Sequence, residues 1–405
     1  MSSAPERIVN LEELNVTEAD PSLLWEAILH KAVEGRVSDI HVLAQEQEYE
    51  LHYRLDGEMR LQGTLPPLMG RRIISHLKAE SQMDIAEHRR PTEGRMKFPF
   101  DGRTIDVRIS VIPSLHGHDM VVRVFDQSVS LKKLSQLGML EEQRRKVDDL
   151  LTHPHGLILV SGPVGSGKTT TLYAMLQQLT GGTRKIVTIE DPIEYDLPGV
   201  NQTQINPKVD VTFASMLSAV LRQDPDVIMV GEIRDKDTAI TAVRAANTGN
   251  LVLATTHATR ASRAVETLLS LGVDPFFLSL AMRGVLAQVL VKRLCDHCKT
   301  PLPETGDMIL NDAIRRRLPD NTQPQLYYGE GCDHCFHTGY HDRMGLFELF
   351  IPDDEVRKQI REGISASELE RICHSESLLN QEQAGKLAAV QGKTTMEQLL
   401  EVLQL

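Results

Sequence analysis

The sequence predicts an α/β protein: a mostly parallel sheet with helices on both faces, a smaller α+β domain before it, and a helical C-terminal part that carries cysteine pairs. Three observations predict it. Between residues 157 and 255 short apolar strands alternate with helical patterns, as in consecutive βαβ units. The run Gly162-Pro163-Val164-Gly165-Ser166-Gly167-Lys168-Thr169 stands between the first of these strands and a helix. The first 125 residues, by contrast, hold alternating strand-like runs and two helical stretches.

Residues 1–20 are polar and are expected to be loosely held. Leu23, Leu24, Trp25, Ile28, Leu29, Ala32 and Val33 recur at helical spacing and predict one apolar helix face. Beyond Gly35 the pattern changes to period two. Runs at 39–42 and 49–55 read as strands, and Asp56-Gly57 closes the second with a hairpin turn. A helix follows over 71–79, then strands over 104–111 and 120–125. This domain is expected to end near Phe125, and the polar stretch DQSVSLKKLSQL at 126–137 reads as a linker.

From Gly138 a helix leads to His155-Gly156, and the series begins: strands at 157–160, 185–189, 227–230 and 251–255, helices at 169–179, 213–221 and 238–247. The last helix stops at Thr248-Gly249. Past about residue 275 the chain reads as mainly helical apart from a cysteine-bearing segment. The apolar run at 284–294 is interrupted by Gln288, Lys292 and Arg293, so no run reaches the length of a membrane span.

The totals exclude other classes. Across 405 residues the net charge is −12, from 44 basic and 56 acidic residues, and aromatics make up 4%. Single-stranded nucleic acid is gripped by stacking aromatics along a basic groove, and neither stripe is visible. The N-terminus has no apolar core of a signal peptide, so a cytosolic protein with five reduced cysteines is expected.

The loop at 162–169 carries specific chemistry. Its three glycines let the backbone curl until its N–H groups face phosphates. Lys168 adds a point charge at the β- and γ-phosphates, Thr169 offers a hydroxyl to Mg²⁺, and Thr170 follows in the first helical turn. The helix dipole favours the same anion. The neighbouring strands deliver acids to the same edge. Glu232 follows the strand at 227–230, although Gly231 stands where an Asp is usual. Glu190, Asp191 and Glu194 follow the strand at 185–189, and His257 follows that at 251–255. Three adjacent strands ending in polar groups predict a catalytic edge. A regulatory module that switches without turnover would not need those acids.

Cys295-x2-Cys298 and Cys332-x2-Cys335 form two identical knuckles. Four thiolates in a reduced protein suit a closed, structural Zn²⁺ site. His297, His334 and His337 are alternative ligands, ranked second. Cys373 reads as a small core residue.

Read together, these motifs resemble the secretion and pilus assembly ATPases of the type II secretion and type IV pilus extension branch. Four nucleotide motifs stand in order: the phosphate loop at 162–169, TIEDPIEY at 188–195, LRQDPDVIMVGEIRD at 221–235 and TGNLVLATTHA at 248–258. SDIH at 38–41, YRLDG at 53–57, DVRIS at 106–110 and the closing GKTTMEQLLEVLQL at 392–405 extend the likeness to roughly residues 35–405.

The resemblance implies an N-terminal PAS-like domain over 1–125 with a short extension, a RecA-like core over 138–290, a tetracysteine zinc element over 291–345 and C-terminal helices over 346–405. It implies ATP hydrolysis with Mg²⁺ and a structural Zn²⁺. Lys168 and Thr169 then bind phosphate and metal, and Glu232 is the catalytic glutamate. Glu194 and Glu190 position water, and His257 contacts the nucleotide. Arg108 and Arg123 reach toward ATP from the N-terminal domain, and Arg222 and Arg234 do so from the motor domain.

The implied assembly is a homo-hexamer at the cytoplasmic face of the inner membrane. It is served by a platform protein and a membrane-anchored docking protein, without nucleic acid, and drives pseudopilin or pilin polymerisation. Asn250 and Ser218 stand where the family often has His and Arg. Little sequence precedes Trp25, so the long docking region of many members is expected to be missing. That is also true of competence (DNA-uptake) pseudopilus motors. A nucleic-acid translocase of related fold is the remaining alternative.

Overall fold

The computed structural model describes residues 19–126, 132–318, 324–376 and 379–404. The expected extension up to residue 18, the middle of the expected linker and Pro319 of the cysteine segment lie outside the described residues. The chain forms two compact units, one comprising residues 19–126 with 295–298 and 329–342, the other the remainder.

The first unit opens with α1 (Pro21–Glu34), for which Asp20 is the N-cap, its carboxylate accepting from the Ser22 N–H at 2.8 Å. Leu24, Trp25, Ile28, Leu29, Ala32 and Val33 are buried as their spacing predicts. Leu23 is 66% exposed, because it stands about 100° around the helix from Leu24. There follow β1 (Asp39–Ala44), β2 (Tyr49–Leu55), β3 (Glu58–Leu65), α2 (Pro67–Glu80), β4 (Thr92–Phe100), β5 (Arg103–Ser114) and β6 (Gly117–Phe125).

They form a sheet in the order β3-β2-β1-β6-β5-β4, antiparallel throughout. The sheet buries one face against the helices and solvates the other, as β2 shows by strict alternation. The β2–β3 turn places both Asp56 and Gly57 at positive φ, 49° and 96°, the conformation a two-residue hairpin loop demands. The hairpin at Asp56-Gly57 implies β3 without bounding it, and β4 is a strand that the periodicity does not predict. Both are rich in charged and polar residues on their outer positions, so alternation alone did not separate them from loop.

The second unit is a doubly wound α/β layer. It contains α3 (Glu141–Thr152), β7 (Gly156–Ser161), α4 (Lys168–Leu179), β8 (Ile186–Glu190), β9 (Asn201–Gln204), α5 (Phe213–Val220), β10 (Val227–Val230), α6 (Lys236–Asn247) and β11 (Leu251–Thr256). After these come α7 (Ala261–Ser270), α8 (Pro275–Ala281), β12 (Met282–Leu294), β13 (Lys299–Thr305), α9 (Asp312–Arg315), β14 (Gln325–Gly329), β15 (Tyr340–Phe350), α10 (Asp354–Glu362), α11 (Ala366–Glu376), α12 (Gln381–Val390) and α13 (Met396–Leu403), of which the end of β14 and the start of β15 fall in the first unit.

The main sheet runs β15-β12-β7-β11-β10-β8-β9. From β12 to β9 each neighbouring pair is parallel. Strands β7, β8, β10 and β11 are buried along their whole length, so they read as continuous apolar runs. One core lies on each side of the sheet, the first packed by α6, α7 and α8, the second by α3 and α4.

The stretch beyond 275 is less helical than expected. Residues 282–294 form β12, and 340–350 form β15, the two strands that extend the parallel sheet at one edge. Both are buried on the two faces along most of their length. A strand buried on both faces loses its period-two signature, and 13 residues of it look like a core helix.

Candidate active site: the phosphate loop and its acids

The loop between β7 and α4 is shaped by its glycines. Gly165 and Gly167 take left-handed φ values of 78° and 83°, open to glycine at no steric cost. A Cβ on Gly165 would meet nothing within 4 Å, so the loop's tip is open. Pro163 and Val164 are exposed beside it, while Ser166 is buried beneath. Thr169 is exposed at the start of α4, and Thr170 follows it half-buried. Lys168 Nζ donates to the carbonyls of Gly162 at 2.9 Å and Pro163 at 3.0 Å. Burial pulls its pKa below the usual lysine value, with the Glu232 carboxylate opposing.

Strand order brings the other groups to this edge. Glu232 follows β10 with its side chain 12% exposed. One oxygen faces Arg234 Nη2 at 2.5 Å, and the other contacts His257 Nε2. His257 Nδ1 stands 3.5 Å from Lys168 Nζ. The imidazole thus stands between the Glu232 carboxylate and the loop lysine. Hydrogen bonding to Glu232 raises the already high pKa of Arg234. Lys168, Glu232, His257 and Arg234 thus form one cluster, although 89 residues separate Lys168 from His257.

Glu190 and Glu194 belong to a second group. Glu190 is 2% exposed at the end of β8. Its carboxylate accepts from the Tyr173 hydroxyl, from Thr188 Oγ1 at 2.5 Å and from Gln202 Nε2 at 3.1 Å. Tyr173 lies on α4, the helix the phosphate loop opens, and its oxygen accepts from the Glu194 N–H at 3.3 Å. Burial, followed by the Glu190 carboxylate, pushes the Tyr173 phenol well above its ordinary pKa. Arg222 is exposed on the short turn 221–223. Arg108 and Arg123 belong to the first unit.

Sequence reasoning missed Tyr173, Thr188, Gln202 and Gln288. Tyr173 and Gln288 are polar groups in otherwise apolar buried runs, and that was the available signal.

The four knuckle cysteines converge. Their Sγ atoms all lie within 4.8 Å of one another. The pairs 295–332, 298–335 and 332–335 are 3.8, 3.7 and 3.8 Å apart. Four sulfurs about 2.3 Å from a tetrahedral Zn²⁺ stand about 3.8 Å apart, so this donor set fits the metal. Burial pushes the Cys298 thiol up to about 12. For Cys335 burial acts in the same direction, but the Cys332 and Gly339 N–H groups and the neighbouring thiols outweigh it and bring the thiol to about 7. Cys373 is buried in the first core of the α/β unit.

A phosphate loop opening a helix at the C-terminal edge of a parallel sheet, with a carboxylate and an imidazole beside its lysine, defines a class: P-loop ATPases. Comparison with known proteins gives the family. The family model described as "Type II/IV secretion system protein" matches residues 17–401. The chain is 43% identical over 382 residues to type II secretion system protein E of Dickeya dadantii, covering 94% of this chain and 74% of the relative. It is 40% identical over 406 residues to type II secretion system ATPase E of Vibrio cholerae, covering 99% and 79%. This chain belongs to the type II/IV secretion system protein family.

Two solved structures share its fold. The pilus retraction motor PilT with bound ADP has a TM-score of 0.60 at 24% identity, covering 93% of this chain and 96% of PilT. The ATPase DotB of Legionella pneumophila has a TM-score of 0.69 at 19% identity, covering 95% and 97%. Among the described residues no helix is long and apolar enough to cross a membrane.

Proposed function

We propose that this ATPase powers assembly of a type II secretion pseudopilus or related pilus-like fibre from the cytoplasmic face of the inner membrane. It would work there as a homo-hexamer with a platform protein and a membrane-anchored docking protein. The observation that carries the reading is the Glu232 carboxylate, held between His257 and Arg234 beside the loop lysine. The curated relatives are named for type II secretion, which supports the pseudopilus over a pilus or a DNA-uptake fibre.

In this reading Lys168 and the loop N–H groups bind the β- and γ-phosphates, and Glu232 orients the attacking water and takes its proton. His257, in contact with both Glu232 and Lys168, reports the γ-phosphate to the carboxylate. Arg234 holds Glu232 in place and shares its charge, and Arg222 is a further motor-domain cation for the nucleotide. Glu194 positions water, and Glu190 holds the chain that carries it. Thr169 and Glu232 would hold Mg²⁺, which supplies charge neutralisation at the phosphates. Cys295, Cys298, Cys332 and Cys335 would hold a structural Zn²⁺. Arg108 and Arg123 supply transition-state charge that the loop itself lacks.

The test is Glu232→Gln. The amide keeps the shape but cannot take a proton, so the protein should bind ATP and fail to turn it over. Normal steady-state turnover in that variant would remove the assignment.

A further inference from the structure

Gln288 interrupts the apolar run of β12, and its surroundings explain why a polar side chain stands there. The residue is 1% exposed. Strand β12 runs parallel to β7 with Ala287 opposite Ser161, the last residue before the phosphate loop. Gln288 therefore comes level with the loop itself. Its Nε2 donates to the Ser166 carbonyl at 2.6 Å. Its Oε1 accepts from Thr171 Oγ1 at 2.8 Å, and Thr171 is 1% exposed in the first turns of α4. The loop passes so close that a Cβ on Gly162 would lie 2.3 Å from the Gln288 carbonyl oxygen. A Cβ on Gly167 would lie 3.4 Å from its Nε2.

One uncharged amide therefore ties the middle of the loop and the following helix to the neighbouring strand. The peptide between Ser166 and Gly167 is the unit it controls. In a trans peptide the C=O and the N–H point in opposite directions. Drawing the Ser166 oxygen down onto Gln288 turns the Gly167 N–H to the opposite side, away from β12. Phosphate loops bind through N–H groups aimed in this way. Of the amide, the ionised carboxylate and the ammonium, only the amide serves both contacts at this site. A carboxylate has no N–H for Ser166, and an ammonium cannot accept from Thr171.

We propose that Gln288 is a positioning residue for nucleotide binding, one that sets the direction of the loop N–H groups and with it the affinity for the phosphates of ATP. The proposal rests on the loop being the nucleotide site, and the test separates the two.

Titration of the full chain with a fluorescent ATP analogue and Mg²⁺, at several pH values between 6 and 8.5, gives the affinity of each variant relative to wild type at the same pH. Gln288→Met keeps the volume and removes both bonds. Its affinity should fall roughly tenfold, the scale of leaving buried partners unmade, while kcat at saturating ATP changes much less. Gln288→Glu is the decisive arm. At alkaline pH the carboxylate faces the Ser166 carbonyl with no proton to offer, and affinity should fall at least as far. Burial raises the pKa of the introduced acid, and once protonated it can donate to Ser166 again. The affinity deficit should therefore shrink as the pH falls.

A Gln288→Glu deficit that stays flat with pH overturns the proposal. Wild-type affinity in both variants does so as well. Lys168→Ala serves as the control: if it binds the analogue as wild type does, the nucleotide-site reading fails instead. Should Gln288→Met fail to fold, the pH series on Gln288→Glu decides alone.

Discussion

Arg108 and Arg123 stand directly opposite one another on β5 and β6. The row continues on both sides, to Arg95 on β4 and through Asp39 on β1 to Arg54 on β2. Like charges placed opposite each other destabilise a sheet, and Asp39 stands within the row between Arg123 and Arg54. Asp39 accepts from Arg123 Nε at 2.9 Å, while the Arg108 guanidinium lies over the Phe125 ring, 4.5 Å from its centroid. The SDIH, YRLDG and DVRIS motifs, scattered in sequence, thus meet on one line across the sheet.

Arg123→Ala should lower kcat at least a hundredfold while the Kd for ATP changes only a few fold, since arginine fingers contribute about 10³–10⁵ to turnover through charge that develops in the transition state. Single-turnover kinetics alongside equilibrium binding would show this split. An equal loss in both quantities would place Arg123 in ground-state binding instead.

Lys168→Ala should lose most of its nucleotide affinity, because the ammonium is the one full positive charge the loop contributes. Isothermal titration with a non-hydrolysable ATP analogue measures it directly. The same analogue should drive wild-type protein toward a hexamer in sedimentation velocity, and a strict monomer at high concentration would contradict the proposed ring.

Tyr173→Phe removes a hydroxyl that serves both Glu190 and the Glu194 N–H. Leaving a buried carboxylate short of one donor costs about 1–3 kcal/mol, read as a lower thermal midpoint. Turnover should fall as well, since the 190–194 segment loses its tie to α4. Unchanged stability would mean that Gln202 and Thr188 alone satisfy Glu190.

Protein purified without chelators should contain about one zinc per chain. Elemental analysis tests this, and Cys332→Ser should lower zinc content and thermal stability together, with a smaller effect on ATP hydrolysis. The thiols at about 7 and about 12 in Cys335 and Cys298 cannot all ionise near neutrality without a cation, so zinc loading should release protons. Absence of zinc in the untreated protein removes this line.

The sequence by itself determined the parts whose information is local. The phosphate loop needs three glycines, a lysine and a threonine at short spacing, and its strand and helix flank it directly. The strands β7, β8, β10 and β11 are short apolar runs bounded by turn residues, and the hairpin at Asp56-Gly57 is set by two residues alone. Glu232 and His257 were legible because each follows such a strand, and parallel strands end at one edge. What only the tertiary structure decided is which distant residues become neighbours. Gln288 lies 122 residues from Ser166, and Asp39 lies 84 from Arg123. Periodicity says which face a side chain takes, but strand order and register say what it meets there. It also falls silent for a strand buried on both faces, and for that reason β12 passed for helix and its glutamine for a mere interruption. The register of β12 against β7 is set by packing over the whole sheet, a property that no short window of sequence contains.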